Sequence, residues 1–141
     1  MAALSAGTIR TEDNIAAKKR GSRVVSSGAQ IYKGSLIYAN SSNQAVVCSD
    51  LGAAGNFLGV AENDVLGDGT KTVDFTYGHT ILIACESGVT YAYINKSVFA
   101  FTDNGVTEAS TVGPCVGVLK DLESASLAWV EICGPALAAN T

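Results

Sequence analysis

The sequence predicts a mainly β domain of barrel or sandwich character, assembled from two similar β units and preceded by an extended basic arm. Three observations predict it. Beyond Val24 the apolar residues fall in short runs rich in Val, Ile, Tyr, Phe and Thr, separated by Gly, Asn, Asp and Ser. Two of these runs, FLGVAEND at 57–64 and CVGVLKD at 115–121, echo one another. Residues 1–23 hold five basic side chains against two acidic ones, net +3, whereas the remainder holds four against eleven, net −7.

The arm, 1–23, comes first. Within it TEDNIAAKKRG (11–21) predicts a short helix, with Thr11 as cap, Glu12 and Asp13 in the first turn, Lys18, Lys19 and Arg20 in the last, and Gly21 closing it. Its one large apolar residue is Ile15. Two turns fall short of the roughly 12–15 residues an isolated helix needs, so the arm is expected to order only on a partner.

The body, 24–141, carries the runs AQIY, SLIYA, AVVC, FLGVA, KTVDFTY, TILIAC, VTYAYI, SVFAF, CVGVL and SLAWVEIC, each of strand length, with ANSSNQ, GDGT and TDNG as turns. Placing KGSLIYANSSNQAVV (33–47) on NKSVFAFTDNGVTEA (95–109), FLGVAEND on CVGVLKD, and TVDFT (72–76) on WVEIC (129–133) gives offsets of 62, 58 and 57 residues. These predict a duplicated unit over 30–78 and 92–135. The shared Gly-Val marks a buried strand where backbones approach closely, and neither half buries its apolar face alone. The tail GPALAANT (134–141) reads as a loose end or a strap onto a neighbour.

A chain of 141 residues supports one domain with a real core. With 48% hydrophobic and only 16% charged residues, part of its surface is expected to be covered by other protein. MAALSAGTIR has no signal-peptide apolar region and no 18-residue apolar run occurs, so synthesis in the cytosol and no membrane span are expected. The four cysteines, 48, 85, 115 and 133, form no C-x-x-C pair and have no histidine beside them. They read as reduced, buried apolar residues, with a disulfide as the lesser alternative and no metal.

Catalytic chemistry finds little support. His79 is the single histidine, in YGHT, and reads as a turn or interface residue. No G-x-S-x-G elbow, Walker loop or H-E-x-x-H occurs, so no enzyme and no cofactor are expected. GDGT (67–70) reads as a hairpin turn; Glu62, Asp64 and Asp68 read as solvated loop carboxylates, with calcium a minor alternative. The sequons at Asn40 and Asn95 read as turn chemistry. KKRGSR has no aromatic residue near it to stack on bases, so an acidic protein surface is preferred over nucleic acid as its partner. Tyr91, Tyr93, Phe99, Phe101 and Trp129 are expected mostly in the core, some at a subunit interface.

Lys33, Gly34, Leu36, Ile37 and Tyr38, then a polar turn, then Leu58 to Ala61 and an alternating strand form an order that resembles the small capsid cement, or head-decoration, proteins of tailed bacteriophages. The resemblance covers about residues 24–133. It implies a compact tulip-like or barrel-like fold that trimerises on the outer capsid surface, stabilises it, and grips the major capsid protein through an N-terminal segment. The expected capsid-binding residues are Arg10, Lys18, Lys19, Arg20 and Arg23, with Ile15 as an apolar anchor. Deletion of residues 1–23 is expected to leave a folded oligomer that no longer binds capsids. The alternative reading is a trimeric carbohydrate- or receptor-binding module of a phage fibre or surface layer.

Overall fold

The computed structural model describes residues 3–48 and 56–135; residues 136–141 of the tail lie outside the described residues. Its strands, in chain order, are β1 (Glu12–Asp13), β2 (Lys19–Val24), β3 (Gln30–Ile31), β4 (Leu36–Ala39), β5 (Ala45–Val47), β6 (Asn56–Ala61) and β7 (Val65–Leu66). Then follow β8 (Thr72–Tyr77), β9 (Thr80–Cys85), β10 (Ser97–Thr102), β11 (Gly105–Thr107), β12 (Cys115–Ser124) and β13 (Leu127–Ile132). The mainly β, barrel-like expectation is met: β9-β11-β10-β12-β13 closes on itself through β13–β9 pairing, leaving a five-stranded barrel.

The first half repeats that plan. Its sheet runs β2-β8-β6-β4-β5, and Val25, just beyond β2, bridges in parallel to Ala45 of β5. In the second half β9 pairs in parallel with β11, Val106 against Cys85. The registers agree residue by residue. Ile37 faces Gly59 and Tyr38 faces Phe57 across a bulge; Val98 faces Gly117 and Phe99 faces Cys115 across a bulge at the same place. Val60 and Arg20 both face Thr76, as Val118 and Thr80 both face Glu131.

The duplication therefore holds, with corrected limits. Thr80 stands 60 positions after Arg20, so the repeating units are Lys19–Tyr77 and Thr80–Ile132, not 30–78 and 92–135. Val98 is the counterpart of Ile37, 61 positions on, and Glu131 of Thr76, 55 on. The sequence alignment was thus one residue out at β4 and two at β8. A two-residue slip preserves the inside–outside alternation of a strand and leaves no trace in its pattern. At β4 there is no alternation to read, because all four residues are buried.

That double burial comes from the joint between the halves. Ile37, Ala39, Leu58, Val73 and Phe75 fill the first barrel. Leu36, Tyr38, Phe57 and Val60, on alternate positions of the same strands, join Ile81, Ile83, Val98, Val130 and Ile132 in the second core. One sheet is lined by two cores, so the halves bury each other's apolar faces. The Gly-Val echo also has its cause. A Cβ on Gly59 would lie 2.4 Å from the carbonyl oxygen of Thr76, and one on Gly117 would lie 1.9 Å from that of the counterpart Glu131.

Two expectations about side chains are corrected. Tyr91 is exposed and Tyr93 half-buried on a short 3-10 turn, Tyr91–Tyr93, and Phe99, Phe101 and Trp129 are half-buried because the inward positions of their strands belong to Val98, Ala100 and Val130. Cys48 and Cys85 are buried as expected, whereas Cys115 is exposed and Cys133 is half-buried.

Candidate docking surface on the N-terminal segment

The segment before the first barrel is a strap over both units, not a helix. β1 adds to β9 beside the place where β11 ends, Glu12 against Ile81 and Asp13 against Thr80. Asn14 then turns the chain with φ 53, a single 3-10 turn covers Ile15–Ala17, and β2 begins at Lys19. The helical expectation for 11–21 fails because strand pairing on both sides outweighs a propensity worth tenths of a kcal/mol per residue, about 0.7 at most. Gly21 lies under Phe75: a Cβ there would sit 2.4 Å from the ring. The arm boundary at residue 23 cuts through β2, so deleting 1–23 removes a strand of the first barrel and cannot isolate binding from folding.

Hydrogen bonds tie the strap down on both units. The Thr8 amide donates to the Lys33 carbonyl at 2.9 Å. The Arg10 guanidinium donates to the Gly34 carbonyl at 2.8 and 3.0 Å and to Asn104 Oδ1 at 2.8 Å, joining the first unit to the second. The buried Asp103 carboxylate beside it accepts from the Leu4 amide at 3.0 Å and from Ser35 Oγ at 2.9 Å. Burial lowers the Arg10 pKa from its very high ordinary value, and the Asp103 charge opposes the change. Glu12 closes the strap: Lys18 Nζ donates to its Oε1 at 2.9 Å, and His79 Nε2 lies 3.0 Å from its Oε2. His79 has no exposed surface. Burial moves its pKa below the ordinary range; Lys18 acts in the same direction, Glu12 and the Tyr77 backbone against it.

The six sequence-predicted residues therefore divide. Arg10 and Lys18 spend their charges within the subunit, the first on backbone and amide oxygens, the second on Glu12. Arg23 is half-buried opposite Val73, its Nε enclosed and without a partner among the described residues. Ile15, at 60% exposure, and the exposed Lys19 and Arg20 face outward. Ile9, 83% exposed, was missed, although an isolated large apolar residue in a polar leader was the signal for it. A cleft between strap and body is lined by Ile9, Arg10, Glu12, Lys18, Lys33 and Glu62.

The loop carboxylates have local uses. Asp68 Oδ1 accepts from the Thr70 amide and hydroxyl and the Lys71 amide at 2.8–2.9 Å; these bonds hold its carboxyl down at about 2 and make GDGT a turn. Asp64 accepts from the Lys33 amide at 2.7 Å and Glu62 from Thr76 Oγ1 at 2.9 Å. Among the described residues no three His, Cys, Asp or Glu side chains are grouped to hold a metal ion, and no helix is long and apolar enough to cross a membrane. No known family model matches the chain, and no curated protein is significantly similar to it.

Proposed function

We propose that this chain is a non-enzymatic structural protein that decorates and stabilises the outer surface of a bacteriophage capsid, binding the major capsid protein as a homotrimer. The observation that carries this reading is what the strap leaves outward. Ile9 and Ile15 stand exposed in the same segment as Lys19 and Arg20, on a chain whose residues beyond 23 are net −7. Apolar anchors beside cations suit an acidic protein surface. Half-exposed Phe99 and Phe101 on the second barrel suit contacts between subunits. Three subunits would then multiply modest contacts through effective concentration.

The test uses two full-length variants, Lys19→Glu/Arg20→Glu and Ile15→Asp, at exposed sites, with the fold of each checked by circular dichroism. Each is co-sedimented with capsids assembled from a tailed-bacteriophage major capsid protein. Occupancy at a fixed concentration is expected to fall, with Kd weakened about tenfold, or ~1.4 kcal/mol. Full occupancy with both variants refutes the docking surface, and a monomer by analytical ultracentrifugation at every concentration and on the capsid refutes the trimer. The carbohydrate-binding alternative draws on one observation, a cleft in which Trp129 lies beside Asp13, Asn14, Lys120 and Asp121. Reproducible glycan-array hits lost in Trp129→Ala would favour it.

A further inference from the structure

Cys115 and Cys133 sit at the open end of the β12–β13 ladder, where the Cys133 amide donates to the Val116 carbonyl at 2.9 Å. Both are free thiols, and each turns its sulfur toward the β12 backbone. The Cys133 Sγ lies 3.4 Å from the Cys115 carbonyl oxygen, and the Cys115 Sγ 3.9 Å from that of Gly117. Both sulfurs thus gather around one short stretch of backbone, with Cys115 open to solvent and Cys133 half-buried behind it. The pair is peculiar to the second unit. The register places Phe57 at the position of Cys115, where it is buried, and Gly78 at that of Cys133. Repeat packing therefore does not require two thiols here.

We infer that Cys115 and Cys133 form a redox-responsive dithiol, closed by peroxide into an intramolecular disulfide that pins β13 to β12 where the chain leaves the second barrel. The solvent-facing sulfur attacks first. The Cys115 thiolate takes an oxygen from hydrogen peroxide to give a sulfenic acid and water. Cys133 then attacks that sulfur, the S–S bond forms and a second water leaves, so two thiols lose two electrons and one peroxide gains them. Hydrogen bonds from Cys133 and Ser97 lower the Cys115 pKa to about 6 against the pull of burial, which favours the attacking thiolate at neutral pH.

The full reduced chain is treated with stoichiometric hydrogen peroxide, quenched with an alkylating agent and weighed intact. The expected product is 2 Da lighter, has lost two of its four alkylatable thiols on denaturation, maps to a 115–133 linked peptide, and returns to the reduced form with dithiothreitol. Thermal denaturation of the oxidised chain is expected at a higher temperature than that of the reduced chain. Cys115→Ser and Cys133→Ser should each abolish the 2 Da loss, and the Cys133→Ser chain should accumulate a Cys115 sulfenic acid trapped by dimedone. A wild-type product that gains oxygen without losing 2 Da, forms only disulfide-linked dimers, or bridges through Cys48 or Cys85 overturns the inference. If either variant does not fold, peptide mapping of the oxidised wild type decides it: a product without the 115–133 linked peptide overturns the assignment.

Discussion

Replacing Gly117 with alanine probes the contact on which both halves depend. The added Cβ would lie 1.9 Å from the Glu131 carbonyl oxygen, and side-chain carbons essentially never come closer than 3.0 Å to such an atom. The β12–β13 pair must therefore open by about 1.1 Å, the difference between those two distances. The neighbouring bond from the Cys133 amide to the Val116 carbonyl, 2.9 Å long, would stretch beyond hydrogen-bonding range. Two weakened ladder bonds at ~1 kcal/mol each, with ~1–2 kcal/mol for disturbed packing around fully buried Val116, Leu119 and Val130, give a loss of about 3–4 kcal/mol. That is a large part of the ~5–15 kcal/mol available to a domain and corresponds to a fall in Tm of roughly 10 °C. The assay is urea unfolding followed through the single tryptophan, Trp129, on β13 itself. Gly59→Ala, with its Cβ 2.4 Å from the Thr76 carbonyl oxygen, should be similarly damaging. Gly69→Ala, in open space with φ +88, should cost only about 1 kcal/mol. If Gly117→Ala proves no worse than Gly69→Ala, the argument from close approach is wrong, and with it the explanation of the sequence echo.

Arg10→Ala should cost about 2–3 kcal/mol, because it leaves the Gly34 carbonyl without this donor and buried Asp103 without its nearby cation. Amide exchange at Leu4 and Thr8 should accelerate, and unchanged protection there would show that the strap is held by other means. His79 supplies a pH dependence of known sign. Its pKa is lower in the fold than the ordinary 6.5, so the unfolded chain binds the proton more readily. Its contribution is complete above pH 6.5 and is lost as pH falls below it through the folded value. Urea midpoints of the wild type should decline over that range more steeply than those of His79→Gln; parallel curves would exclude the histidine as the cause.

The β character was open to reading because it is local. Runs such as AVV, TILIAC and LAWVEI have strand composition, and Asn, Asp, Ser and Gly clusters bound them whatever the rest of the chain does. The duplication was open to reading for a related reason: a glycine demanded by a neighbouring backbone leaves a fixed mark, so Gly59 and Gly117 announced equivalent strands. The phase of β4 and β8 was hidden, since one strand is buried on both faces and the other tolerates a two-residue slip unseen. The candidate surface was half legible. Lys19, Arg20 and Ile15, singled out from charge and polarity, face the solvent, but that Arg10 and Lys18 would be consumed inside the subunit was not legible.

What the sequence by itself determined is the class of fold, the twofold repetition and the concentration of positive charge in the first residues, all of which follow from composition and spacing along the chain. Only the tertiary structure decided that this positive segment contains the opening strand of the first barrel and a strap across the second. The reason is that β2 and β1 take their hydrogen bonds from β8 and β9, between 48 and 69 residues away, and such pairing overrides the weak local preference for a helical turn. The same long-range pairing sets which cations meet a carboxylate or carbonyl oxygen and which are left facing the solvent.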